Sequence, residues 1–428
     1  MTKTLYLHVG APKSGTTYLQ RVLEANRSVL ADAGVLVVGD NHLDRIHAAM
    51  VVREDPRLAK LGPQANNAWQ RLVKQVRDWS GAKAILSYEL FAGADADQVE
   101  KALKDLGGID VHVVVTARDF ARAVPSAWQE RLKFALTTGL EEWKPRPESA
   151  GPRAEWGWRT MDPAGVARRW GRRLPAAHVH IVTVPRAGAD KDELWRRFAA
   201  ACDLDVPGLS TDVERVNESM GVVAAELLRR VNEKVEDPIS NNREHALWLR
   251  DTLAHQVLVT LGNEPIGLTD AQYDDAATRS EESINQVRSA GYDVQGDLED
   301  LRATRPEART PSEVTEGELL DAATQTIVKL IVLMRERTGG ATEAPEQGAK
   351  GLGSFGKRVL RGGAAVQLGK ETERLEERVK ALEAELFAQR ALQLRVAELT
   401  DLVTELLLPA GDAEVSEAAL ARYRGESL

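Results

Sequence analysis

The sequence predicts a three-layer α/β domain with a central parallel sheet, followed by a C-terminal helical and coiled-coil extension. Three observations predict it. Apolar, β-branched runs recur at residues 5–9, 84–88, 111–116 and 179–184, and each is continuous rather than alternating, as strands buried on both faces are. Helical periodicity separates these runs, which is the signature of helices layered on a sheet. After about residue 305 the pattern changes to long amphipathic stretches and, further on, to heptads.

The first strand, 5–9, runs directly into GAPKSGTT, residues 10–17. The first helix is expected to start near Thr16, to bury Leu19, Val22, Leu23 and Leu30, and to stop at Gly34. Met220, Val223, Ala224, Leu227, Leu228 and Val231 repeat at helical spacing and suit a helix packed on the sheet. Residues 312–338 read as one helix. The chain therefore divides into an α/β domain at 1–305, a helical extension at 306–340, a glycine-rich linker at 341–366, a coiled-coil helix at 367–408 and a tail at 409–428. Within the coiled-coil stretch Leu375, Val379, Leu382 and Leu386, then Leu392, Val396, Leu399, Val403 and Leu406, alternate four and three apart, with a slip at Gln389. Such a seam favours a homo-oligomer.

Composition narrows the function classes. The 428 residues carry a net charge of -9, which argues against a general nucleic-acid binder while allowing a local basic pocket for an anion. The single cysteine, Cys202, excludes an internal disulfide framework and a Cys-rich zinc site. No apolar run reaches the roughly 18 residues of a membrane span, so a cytoplasmic location is expected.

The loop at 10–17 has the residues of a phosphate cradle. Between a strand and a helix, its backbone N–H groups and the positive helix end point to one place, and glycine lets the chain curl around an anion. The glycine spacing mimics the nucleotide loop G-x-x-x-x-G-K-S/T. The lysine does not: Thr16 occupies its place, and Lys13 lies inside the loop.

With Pro12-Lys13-Ser14-Gly15-Thr16-Thr17 after its first strand, the chain resembles the sulfotransferases that use 3'-phosphoadenosine 5'-phosphosulfate (PAPS), whose loop has the form P-K-S/T-G-T/S-T. A second stretch, ARDFARAVPSAWQERLK, matches the family's later strand ending in an arginine, Arg118, with a serine eight residues on, Ser126. ILSYELF, HVHIVTVPRAG, LWRRFAAACDLD and SAGYDVQGDLEDL are similar to the bacterial branch, so the resemblance spans roughly residues 3–305. It implies a P-loop-NTPase-like fold and PAPS as donor, with 3'-phosphoadenosine 5'-phosphate (PAP) as product. It also implies a 5'-phosphosulfate loop of Lys13, Ser14, Gly15, Thr16 and Thr17, and a 3'-phosphate site of Arg118 and Ser126.

The chemistry asks for these residue types. Lys13 would support the oxygen bridging phosphate and sulfur, where charge grows as the S–O bond breaks. Arg118 offers a fork to the 3'-phosphate, each charge-assisted bond contributing roughly 1.5–3 kcal/mol. No metal is required. Sulfuryl transfer also needs a base for the acceptor's proton. Glu89, at the end of the strand at 84–88, lies at the carboxyl edge where open α/β sheets place their sites. His47 is the alternative base, although an exposed helix histidine is the plainer reading. His8, in the first strand, suits a core histidine. His178 and His180 have no carboxylate or cysteine at metal-ligand spacing, and no metal site is assigned.

Trp143, Trp156, Trp158 and Trp170 lie in a Pro-, Gly- and Arg-rich stretch that suits either a lid or acceptor groove or anchors for a long loop. Basic residues 350–363 suit a flexible linker, with a contact to the nucleotide or to an anionic membrane surface as the alternatives. The expected function is a PAPS-dependent sulfotransferase acting on a small-molecule or glycan acceptor. The alternatives are a P-loop nucleotide kinase or NTPase with Asp119 as metal ligand, and a non-catalytic PAP-binding scaffold oligomerised by its coiled coil.

Overall fold

Six parallel strands form one sheet in the order β2-β3-β1-β4-β5-β6. They are β1 (Thr4–His8), β2 (Val35–Val37), β3 (Lys83–Ser87), β4 (Asp110–Ala117), β5 (Val179–Thr183) and β6 (Asp293–Gln295). The computed structural model describes residues 3–149, 157–213, 219–235, 239, 241–305 and 307–337, all of them within one unit, Met1–Glu343. The expected linker at 341–366, coiled coil at 367–408 and tail at 409–428 lie outside the described residues.

The longer helices are α1 (Thr16–Ala25), α2 (Arg27–Asp32), α3 (His42–Val52), α4 (Ala68–Asp78), α5 (Ala96–Asp105), α6 (Phe120–Leu132), α7 (Pro163–Trp170), α8 (Glu193–Ala201), α9 (Val222–Asn232), α10 (Asp270–Ala290) and α11 (Glu316–Arg337). Alternation along each strand divides the core into two layers. Leu5, Leu7, Val113 and Val115 face Trp69 and Leu72 of α4, Ala102 of α5, Trp170 of α7 and Ile284 of α10. Tyr6, Ile85, Val114 and Val182 face Leu19 and Leu23 of α1, Leu30 of α2 and Phe198 of α8. With both faces covered, the central strands are buried over most of their length, which is why their sequences read as unbroken apolar runs.

Three expectations need correcting. The helix expected from Thr16 to Gly34 breaks at Asn26, whose amide donates to the Val22 and Ser210 carbonyls at 2.7 and 2.8 Å and accepts from the Ser210 N–H at 2.8 Å. The helix carrying Val223 and Leu227 forms, but it packs in a separate core with Phe120, Val124 and Trp128 of α6 and Leu319 of α11 rather than on the sheet, whose faces are already filled. The helix expected at 312–338 is a short turn, Pro311–Glu313, followed by α11. No helix among the described residues is long and apolar enough to cross a membrane.

Candidate functional site

Strand order fixes where a ligand can sit. From β1 the chain crosses to β2 beyond β3, and from β4 it crosses to β5 on the other side, so the carboxyl ends of β1 and β4 flank a topological switch point. The loop 10–17 leaves β1 here, and Arg118 follows β4 here.

The loop first continues along β4, with Val9 N donating to Val114 O at 3.0 Å and Ala11 N to Thr116 O at 2.9 Å. A buried polar chain then anchors it. His8 bonds Ser87 Oγ at 2.7 Å and Thr116 Oγ1 at 3.1 Å, and Ser14 Oγ bonds Thr116 Oγ1 at 2.5 Å and the Ala11 carbonyl. Burial drives the His8 imidazole down to about 3, so it is neutral and matches the core histidine expected of it. The Ser14 hydroxyl thus points into the protein and holds the loop's shape, leaving its backbone to face the crevice.

Beyond Ser14 the chain is left-handed at Gly15, φ 84°, where an added Cβ would lie 2.4 Å from Leu194 Cδ2. Gly15 caps α1 without a side-chain acceptor and the first turn holds no acidic residue, so neither supplies an anion to the leading N–H groups at Thr16 and Thr17. Thr16 is buried and Thr17 exposed. Lys13 also has positive φ, 63°, a strained conformation for a side-chain-bearing residue that turns its ammonium across the crevice.

There Lys13 Nζ meets Glu130 Oε1 at 2.9 Å, and Lys133 Nζ reaches the same oxygen at 2.7 Å. Burial would raise the Glu130 carboxyl, but the two ammonium groups hold it down at about 2. Arg118 Nη1 donates to the Lys13 carbonyl at 3.0 Å, while its Nε is buried with no hydrogen-bond partner. No carboxylate forms an ion pair with Arg118 among the described residues; neither Asp119 nor Glu130 does so. Loss of solvent and the neighbouring Arg122 charge press its pKa down to about 10. Asp119 is engaged elsewhere: it accepts from Arg122 N at 3.1 Å as the cap of α6 and pairs with Arg122 Nε. Arg122 Nη2 is likewise buried without a partner. Ser126, 8% exposed, lies two helical turns into α6.

Glu89 opens the turn Glu89–Gly93 after β3 and lies against the loop: a Cβ on Gly10, φ 86°, would stand 2.6 Å from Glu89 Cβ. Its Oε2 accepts from Gln20 Nε2 of α1 at 2.9 Å. The switch point therefore gathers Lys13, Arg118, Arg122 and Lys133 around Glu130 and Asp119, with Glu89 at the rim. Four cations against three carboxylates make a locally basic cluster in an acidic chain.

Of the histidines, His42 rather than His47 is placed beside Glu89. Its ring lies 5.3 Å from that of Tyr88, and desolvation lowers its pKa against the opposing pull of Glu89. His47 lies further along α3 and has no bond to Glu89. Sequence reading gave Glu130 no role with Lys13 and passed over Lys133; the only hint was the Glu130/Lys133 spacing of three on one helix. The tryptophans with described positions act mainly as anchors. Trp170 is fully buried and donates to Phe91 O at 3.1 Å, and Trp143 and Trp158 pack against the second core. Trp156 lies outside the described residues.

At the opposite edge of the sheet, Asp110, His112 and His178 bring one ligand atom each to within 4.8 Å of one another. The carboxylate that His178 lacks in sequence comes from the start of β4.

A family described as a domain of unknown function, DUF6752, matches residues 375–427, the C-terminal part of the chain. No curated protein and no solved structure matches the chain.

Proposed function

We propose that this chain is a PAPS-dependent sulfotransferase that moves a sulfuryl group to a hydroxyl or amine of a small-molecule or glycan acceptor. The observation that carries this reading is Arg118: a guanidinium with a buried, unsatisfied Nε and no carboxylate partner, across a switch-point crevice from an uncapped helix N-terminus. A buried polar group without a partner is costly, and an anion at this place would satisfy it. The parallel order with β1 between β3 and β4 and the glycine loop after β1 support a P-loop-like domain.

Each residue has a role in in-line displacement. Arg118, with Ser126, would take the 3'-phosphate of the donor. The N–H groups of Gly15, Thr16 and Thr17 would take its 5'-phosphate, and Lys13 would exchange Glu130 for the phosphate oxygen released as the S–O bond breaks, where charge grows most in the transition state. Glu130 keeps Lys133 after the exchange, so Lys13 can leave without stranding a carboxylate. Glu89 would accept the acceptor's proton as its oxygen or nitrogen bonds to sulfur.

A nucleotide kinase or NTPase reading requires Asp119 as a metal ligand. Its carboxylate is 3% exposed and engaged by Arg122, which argues against that role. The test is incubation of the protein with PAPS and cell extract, followed by mass spectrometry for products heavier by one sulfuryl group. Products are expected with the native protein, and Glu89→Gln should lower kcat about 10²- to 10⁴-fold with PAP affinity little changed. A change confined to KM would remove Glu89 from proton transfer.

A further inference from the structure

The amino edge of the sheet carries a cluster that the crevice chemistry does not use. His180 Nδ1 lies 2.6 Å from Asp293 Oδ2, and an ionised carboxylate only accepts, so Nδ1 carries the proton. His180 Nε2 in turn lies 2.8 Å from His112 Nδ1, so the two rings are joined by a hydrogen bond. His112 Nε2, on the far side of its ring, faces Asp110 Oδ2 at 3.6 Å. His178 completes the group: its ring stacks on that of His112 at 4.1 Å and 12°, and its Nδ1 lies 3.4 Å from Asp110 Oδ1 and 3.3 Å from the Val111 carbonyl, leaving Nε2 as its ligand atom.

We propose that Asp110, His112 and His178 bind a divalent transition-metal ion, with Zn²⁺ the fitting probe and water as the fourth ligand. Two imidazoles and one carboxylate form a donor set suited to Zn²⁺. The chain Asp293–His180–His112 is the outer-shell support that fixes a metal-binding histidine's tautomer and orientation. The side chains of His112, His178 and Asp110 are 16%, 28% and 39% exposed, and the cluster adjoins a hollow bounded by Lys104, Arg173 and Pro175, which gives an entry path and room for water. Bonds of about 2.0–2.1 Å need the stacked rings to tilt so that their lone pairs converge. The ion would join the start of β4 to the turn before β5, His112 and His178 being 66 residues apart in sequence. It lies at the other end of β4 from Arg118, about 23 Å away at strand spacing.

Titration of the tag-free full chain with Zn²⁺ should give one equivalent bound, micromolar or tighter, with melting raised by a few degrees and returned by chelator. The double variant His112→Gln/His178→Asn should lose binding at least 100-fold and melt where the chelated native protein does. His180→Gln, a positioning change, should weaken binding about 10- to 100-fold. Should the double variant fail to fold, the Co²⁺ form of the native chain should show the strong visible bands of a four-coordinate site. Absence of one-equivalent uptake, uptake unchanged in the double variant, or Co²⁺ bands of a six-coordinate hydrated ion would each overturn the assignment.

Discussion

At the scale of single residues, the crevice is set by how few carboxylates it contains. Glu130 serves two lysines at once, so removing either lysine leaves it paired. Lys13→Ala should therefore leave the melting temperature close to that of the native protein while lowering sulfuryl transfer about 10²- to 10³-fold, the range for loss of one transition-state charge donor. Transfer at the native rate would remove Lys13 from the chemistry. Glu130→Gln should behave in the opposite way, because it leaves fully buried Lys133 without its carboxylate; a loss of about 3 kcal/mol at neutral pH is the scale for such a broken pair. The sign with pH follows from a carboxyl held at about 2 rather than its ordinary 4.5. Its contribution is complete above pH 4.5 and is lost as pH falls toward 2. The gap in stability between native and Glu130→Gln proteins should accordingly narrow across that window; a gap unchanged by pH would mean that the ion pair contributes nothing.

At the scale of elements, the loop and the turn after β3 are one unit joined at Gly10. Its φ of 86° and the 2.6 Å approach of an added Cβ to Glu89 leave no room for a side chain. Gly10→Ala should push Glu89 outward and distort the loop, lowering kcat at least tenfold with a stability loss of about 1–2 kcal/mol from the left-handed conformation. Circular dichroism and steady-state rates measure both, and an unaffected kcat would separate Glu89 from the loop. The sequence makes the four long strands legible because burial on both faces demands unbroken apolar runs. Val35–Val37 and Asp293–Gln295 escaped notice because three-residue edge strands carry too little pattern. Asn26 ends α1 through a bond to Ser210, 184 residues away, which no local periodicity encodes.

At the scale of the whole molecule, the same division holds. Lys13 and Thr16 were readable from the loop after the first strand, whereas Arg118 and Ser126 came from the family resemblance. Their partners were readable from neither, because Lys13 meets Glu130 across 117 residues and His178 finds Asp110 and His112 only through strand pairing. All the crevice residues belong to the unit Met1–Glu343, so nucleotide recognition should survive removal of everything after Glu343. The most direct measurement is calorimetric titration of the intact chain, the chain ending at Glu343 and Arg118→Met with PAP, and in parallel with ATP plus Mg²⁺. One PAP per chain should bind to the first two with similar affinity and at least tenfold more weakly to Arg118→Met, with no comparable ATP binding. Tight ATP binding without PAP binding, or PAP affinity indifferent to Arg118, would contradict the account.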